Sequence, residues 1–134
     1  MITWNGIKFT LPDGMRDETV LTFVDKSDAP TVSVTVSQEK LSGGKPALLR
    51  YVTDQLAEIA KSAPGYAVTN QTERAAGGFP AIVVTAAVGG GKRVQHQLYV
   101  LVGDKVVVAA VTATSAEKAR TLVDHIASTF GTTA

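Results

Sequence analysis

Few residues in this chain can do covalent or proton-transfer chemistry, and their spacing argues against it. Histidine occurs only at His96 and His125, neither with a partner at H-x-x-x-H spacing or a carboxylate placed to complete a metal set. Each reads as a packing or surface histidine rather than a ligand or proton carrier. Cysteine is absent, which removes thiolate nucleophiles, disulfides and cysteine-bound metals together. No serine sits in G-x-S-x-G, so nothing points to a nucleophile elbow. Lys92 follows Gly89-Gly90-Gly91, but the phosphate loop G-x-x-x-x-G-K-[ST] wants glycine where Ala86 stands and a hydroxyl residue where Arg93 stands. Gly43-Gly44-Lys45 fails as well, because Pro46 follows. Both are turns. Asp25 and Asp28 fall in a turn, where a carboxylate caps backbone or faces water. Nothing in this set argues for an enzyme, a cofactor or a metal. What remains is a population of hydroxyl and amide side chains, suited to reversible hydrogen bonding.

The cleanest of the elements that carry them is Thr31-Val32-Ser33-Val34-Thr35-Val36-Ser37, a strand with valines on one face and hydroxyls on the other. Ile7 to Leu11 alternates likewise and closes at Pro12-Asp13-Gly14, and Val20 to Asp25 is a second strand. Ser42-Gly43-Gly44 breaks the chain before Pro46, a good first-turn residue for a helix. Leu48, Val52, Leu56 and Ile59 then recur at helical spacing until Pro64-Gly65 stops them. Tyr66 to Glu73 is weakly extended. A meander follows: Phe79 to Val88, the triple-glycine turn, Lys92 to Val102, the two-residue hairpin signal Gly103-Asp104, and Lys105 to Ala113. Thr114-Ser115-Ala116-Glu117 predicts a capping box with Thr114 as cap. The helix after it carries Ala119, Leu122, Val123, Ile126 and Phe130 on one stripe. Residues 1–134 are expected to form a single α+β domain, a curved antiparallel sheet with the two main helices packed on one face.

Hairpin register assigns faces. Pairing Val102 with Lys105 sets Gln97 opposite Ala110 and Tyr99 opposite Val108. Pairing Val88 with Lys92 sets Val83 opposite Gln97 and Thr85 opposite Gln95. One face then carries Ile82, Val84, Leu98, Val100, Val107, Ala109 and Val111, and is expected under the helices. The other carries Val83, Thr85, Ala87, Gln95, Gln97, Tyr99, Val108, Ala110 and Thr112. It is continued by Ser33, Thr35 and Ser37 and by Val20, Thr22 and Val24. An open antiparallel sheet usually turns charge to water on its far side. Here that face has almost none; it mixes the small, hydroxyl and amide side chains with which transmembrane helices pack on one another. The plainer reading of the same face is a homodimer interface or a slipped register.

Composition fits this picture. The chain has 134 residues, a net charge of +1, a hydrophobic fraction of 45% and aromatics of only 6%, so its apolar content is mostly valine and alanine. That balance gives no electrostatic footprint for nucleic acid. The first residues, Met1-Ile2-Thr3-Trp4-Asn5-Gly6, lack the basic and apolar regions of a leader. The apolar run from Phe79 to Val88 is far short of the roughly 20 residues a spanning helix needs. A cytoplasmic protein that is not integral to the membrane is expected, with the sequon Asn70-Gln71-Thr72 read as chance.

Four stretches make the chain resemble the DcrB-like domains, and within them the Eag-type chaperones of type VI secretion. They are Leu11-Pro12-Asp13-Gly14-Met15-Arg16-Asp17, Tyr51-Val52-Thr53-Asp54-Gln55-Leu56, Ala63-Pro64-Gly65-Tyr66, and Gly78-Phe79-Pro80-Ala81 leading to Gln95-His96-Gln97. The resemblance implies a small cytoplasmic protein with a PsbP-like fold, commonly a homodimer. It implies binding to the N-terminal transmembrane region of a PAAR-containing type VI effector, shielding it until it is loaded on the VgrG spike. Positions lining the family's groove correspond here to Val20, Thr22, Ser33, Thr35, Ser37, Gln55 and Gln97; Tyr99, Val108 and Ala110 join them from register. Thr22 and Thr35 are more polar than the aliphatics often found at these family positions. The resemblance implies no cofactor and no catalysis. The alternative is a generic ligand- or protein-binding module of the same PsbP/DcrB-like fold.

Overall fold

The computed structural model of the chain describes residues 2–4, 6–15, 18–25 and 31–133. Alternating β-branched and polar residues put most of these into strands. A short ribbon of β1 (Ile2–Trp4) and β2 (Ile7–Phe9) precedes β3 (Leu21–Val24) and β4 (Val32–Lys40). Helix α1 (Gly44–Ser62) follows, then β5 (Ala67–Ala76), β6 (Phe79–Val88), β7 (Arg93–Val102), β8 (Lys105–Ala113) and α2 (Ala116–Thr129). β3 to β8 form one antiparallel sheet of six strands in the order β3-β4-β8-β7-β6-β5. The α+β class, the antiparallel sheet and both helices agree with the sequence pattern.

Two details differ from it, and they share a cause. Gly103-Asp104 closes a tight hairpin with Val102 opposite Lys105, so Gln97 faces Ala110 and Tyr99 faces Val108 as expected. The triple-glycine turn, however, takes in Lys92: Val88 pairs with Arg93, not Lys92. Three successive glycines at positive φ (63°, 70° and 92°) carry the chain one residue further before pairing resumes. A slip of one residue exchanges faces. Val83 therefore lies opposite Leu98 and Thr85 opposite His96, not opposite Gln97 and Gln95. Ile82 and Val84 belong with Gln97 and Tyr99, while Val83, Thr85 and Ala87 belong with Leu98 and Val100.

With that parity the centre of the sheet is apolar on both sides, and each side takes a helix. Leu48 and Val52 of α1 pack with Ile82, Val84, Tyr99, Leu101 and Val106. Ala119, Val123 and Ala127 of α2 pack with Val83, Leu98, Val100, Ala109 and Val111 on the opposite face. The expectation that both helices share one face is thus corrected.

Smaller features follow local chemistry. The cap of α2 is Ser115, not Thr114: its backbone is extended and its Oγ accepts from the Lys118 N–H at 3.2 Å. Asp25 does cap backbone, Oδ2 accepting from the N–H and the hydroxyl of Thr31 at 3.0 and 2.9 Å. Asp28, and Arg16 and Asp17 of the Leu11 to Asp17 motif, lie outside the described residues. The turn between β5 and β6 is locked to the end of α2. The Gly77 N–H donates to the Ala127 carbonyl at 3.1 Å, Phe79 meets Phe130 edge to face, and Arg74 pairs with Asp124 at 2.8 Å.

At Gly77, φ is +56° and a methyl group would sit 2.0 Å from the Phe130 carbonyl oxygen, a clash with backbone that no rotamer relieves. Gly77→Ala is expected to destabilise the fold by more than about 2 kcal/mol, the left-handed strain of about 1–2 kcal/mol being only part of it. Gly78→Ala, also left-handed but next to open space, should lose only the strain. Urea midpoints of the two variants against wild type measure the difference.

Candidate functional site

The sheet is wider than one helix. Neighbouring strands lie about 4.8 Å apart, so six span about 24 Å, room for two helices roughly 10–12 Å across on each face. On the face of Gln97 and Tyr99 the described residues supply one, α1, which packs over β6 and β7. Among the described residues no helix covers the strip over β8, β4 and β3 beside it.

Register builds the floor of this strip in three rows. Thr22, Thr35, Ala110 and Gln97 lie side by side across the four strands from β3 to β7. On one side runs the row Val24, Ser33, Thr112 and Gln95, and on the other Ser37, Val108 and Tyr99. Val20, just before β3, extends the last row and lines with Ser37 a concavity of about 690 Å³ at that end, where the charged Glu18, Glu39, Lys40 and Lys105 line it too. Exposure falls across the rows. Val20 and Thr22 are exposed, Ser33, Thr35, Ser37, Val108 and Ala110 half-buried, and Gln97 and Tyr99 buried. None of these side chains is charged. A second concavity, of about 360 Å³, lies between the start of α1 and the β5–β6 hairpin and is lined by none of them.

Helix α1 supplies the wall. Tyr51 meets Tyr99 edge to face at 6.2 Å between ring centres, and Glu39 of β4 lies beside its hydroxyl. The Tyr51 flank of α1 therefore points across β8 toward β4. Gln55, one turn on and half-buried, is on that flank. Of the ten residues singled out in the sequence, seven (Val20, Thr22, Ser33, Thr35, Ser37, Val108 and Ala110) form the floor and rim of the strip and Gln55 stands on its wall, while Gln97 is buried at the end of its row and Tyr99 is buried beneath α1.

Hydrogen bonds order the floor. The Tyr99 hydroxyl donates to Gln97 Oε1 at 2.6 Å, and the Tyr66 hydroxyl reaches the same oxygen at 3.5 Å. Gln95 Nε2 donates to Thr112 Oγ1 at 3.2 Å. Burial raises the Tyr99 pKa, with smaller contributions from Tyr66 and Tyr51, and burial raises that of Tyr66 as well. Tyr51 is pushed up to about 12, by burial first and then by Glu39. All three hydroxyls stay neutral at physiological pH; Glu39, on the strip's face of β4 opposite Val106, is a charged side chain at its edge. Tyr51 and Tyr66 sit inside stretches that carried the family resemblance, yet neither stood out as a site residue. The signal for Tyr51 is its four-residue spacing to Gln55; for Tyr66 it is its place just past the helix stop.

The histidines lie elsewhere. His96 is buried on the α2 face, and His125 is exposed on α2. Among the described residues no three His, Cys, Asp or Glu side chains gather as a metal set, and no helix is long and apolar enough to cross a membrane.

The chain belongs to the DcrB family, whose model matches residues 7–128. It is similar in structure to a Pseudomonas aeruginosa protein of unknown function, PA94, described as a putative regulator: TM-score 0.70 at 19% identity, over 92% of this chain and 90% of that one. It is also similar to the solution structure of cyanobacterial PsbP (CyanoP) from Synechocystis sp. PCC 6803, with TM-score 0.56 at 13% identity over 92% and 84% of the two chains. The fold is therefore PsbP-like. No curated protein matches the sequence.

The His96 pKa is lowered, chiefly by burial and then by Arg120, with Asp124 pulling the other way. A depressed histidine pKa stabilises the fold above its unfolded value of about 6.5, and that stability is lost as pH falls through the folded value. Wild type should therefore lose melting temperature between pH 7.5 and 5.5 by more than a His96→Leu variant does. Parallel slopes in thermal melts would show that His96 contributes nothing.

Proposed function

We propose that the strip beside α1 is the seat of a foreign transmembrane helix, and that the protein is a non-catalytic chaperone. Its clients are the N-terminal membrane-spanning segments of type VI secretion effectors of the PAAR-containing kind. It would shield them in the cytoplasm and hand them on to the VgrG spike. The observation that carries this reading is the strip itself: one helix wide, with a floor of alanine, valine, serine, threonine and glutamine.

The energetics favour such an occupant. Apolar burial is worth roughly 25 cal/mol per Å², and association costs about 4–15 kcal/mol. A client must therefore bury a few hundred Å² of apolar surface before binding becomes favourable. A spanning helix, apolar all round, brings that area; a short polar peptide does not. Small side chains such as Ala110 and Ser33 let backbones approach closely, as small residues do where spanning helices meet. Ser33, Thr35, Ser37, Gln55 and Gln97 meet whatever polar groups the client carries. Thr22 and Thr35 weaken the purely apolar grip and shift selectivity toward such groups. The proposed assembly is a homodimer, each protomer holding one segment. Release needs no nucleotide and occurs by handover.

Co-expression tests the reading. An effector's N-terminal region should stay soluble with this protein and aggregate without it; equal solubility in both cases would sink the proposal. Ala110→Arg, which sets a charge on the floor, and Thr22→Arg on the exposed rim should each weaken capture by about a hundredfold. Thermal melts of the variants without client confirm that they fold.

A further inference from the structure

We propose that the sheet carries a second docking strip, on the face of α2, and that it takes an amphipathic helix of a partner protein with carboxylates in its first turn. The inference does not depend on the client reading of the strip beside α1. Widths argue for it: α2 packs over β7, β8 and β5, and among the described residues no helix covers β4 and β3 on that face. Alternation fixes what stands there. Leu21 lies beside Val36 and Ala109, and Phe23 beside Val34 and Val111. Leu21 and Phe23 are 45% and 57% exposed, an apolar pair on one edge strand that the described residues leave uncovered.

Helix α2 supplies the inner wall. Lys118 donates to the Thr31 hydroxyl at 3.1 Å, just before β4, so its flank of the helix is turned to this strip. Leu122 and Ile126, one and two turns on, are half-buried along the same flank. Asp124 is on the opposite flank, paired with Arg74 of β5. The strip is two strands wide, about 10 Å, and β4 with its nine residues is about 30 Å long. One helix of about 20 residues fits it, side by side with α2.

Charge decides which helix. At the end where α2 begins, Asp25 and Lys118 meet at Thr31, so opposite charges are matched there. At the other end Lys40 stands directly opposite Lys105, with Val102 next to it. Like charges facing across strands repel, and among the described residues neither lysine forms an ion pair. Glu18 and Glu39 line the same concavity yet pair with neither, and Glu39 alternates to the other face beside Tyr51. An occupant with carboxylates at this end complements the lysines. Carboxylates also favour the first turn of a helix, which places its N-terminus at Lys40 and Lys105. A spanning helix with lysine or arginine flanks would be repelled there.

The test uses two synthetic peptides of about 20 residues that share one leucine stripe at helical spacing. One has two glutamates in its first turn, the other two lysines there. Titration calorimetry on the intact protein should show the glutamate peptide bound about tenfold more tightly. The double variant Lys40→Gln with Lys105→Gln should remove that advantage, and so should high salt. Phe23→Ser, at an exposed position, should weaken both peptides about tenfold while leaving the melting temperature in place. No binding of either peptide, or binding indifferent to Phe23→Ser, overturns the strip as a docking surface. Equal wild-type affinities, or an advantage that outlives the lysine variant, overturns the acidic helix as its occupant. Light scattering completes the test. A dimer that Phe23→Ser turns into a monomer would put a second copy on this face and overturn the proposal; an oligomeric state that the variant leaves unchanged supports it. None of these outcomes bears on the strip beside α1, so that reading stands or falls by its own experiment.

Discussion

The structure depends on a mismatch of widths. A six-stranded sheet cannot be covered by a single helix on a face, and this chain supplies one helix to each. Everything described for the site is a consequence. The half of the face under α1 is closed by Leu48 and Val52 against large apolar partners. The half without a helix is surfaced with small, hydroxyl and amide side chains that tolerate water, with Glu39 at the end beside Tyr51. Had both helices packed on one face, that face would be full and the other wholly bare. Dividing them leaves a bounded strip with a wall, a floor and a rim.

The floor owes its character to the same alternation that makes the core. Along β4 the valines Val32, Val34 and Val36 join the cluster under α2, and the intervening Ser33, Thr35 and Ser37 are forced to the other side. One strand thus serves core and site at once, at successive residues. The tyrosines do the equivalent for polarity. Their hydroxyls are buried enough to remain neutral, and they bind each other's neighbourhood together through Gln97 rather than through an ion pair.

Legibility in the sequence followed turn chemistry. Gly103-Asp104 demands a two-residue hairpin, and from that one constraint Gln97, Tyr99, Val108 and Ala110 fall on a common face before any coordinates are known. The Ser33-Thr35-Ser37 alternation places β4 just as directly. Gly89-Gly90-Gly91 carries no such constraint, because glycine accepts almost any backbone conformation and the turn can end at Gly91 or at Lys92. The wrong choice moved Ile82 and Val84 to the opposite side, made one face look uniformly apolar, and so drew both helices onto it. Gln55 was not reachable from strand register at all; its place on the wall depends on how α1 rolls, which is visible only in the contact of Tyr51 with Tyr99. Tyr66 was invisible for a similar reason, since its partner Gln97 is 31 residues away.

The rim strand β3 has a further consequence. It is four residues long, paired on one side only, and its Leu21, Thr22, Phe23 and Val24 are all exposed. β8 and β7, by contrast, are held on both sides and buried. Local opening free energies follow such differences, so the sheet frays from β3 inward while β8, β7 and both helices keep their native contacts. The border of the site farthest from α1 is thus also the cheapest part of the sheet to melt. Hydrogen exchange would see β3 amides exchange freely while those of β7 report the global unfolding. A groove built this way has one fixed bank and one compliant bank.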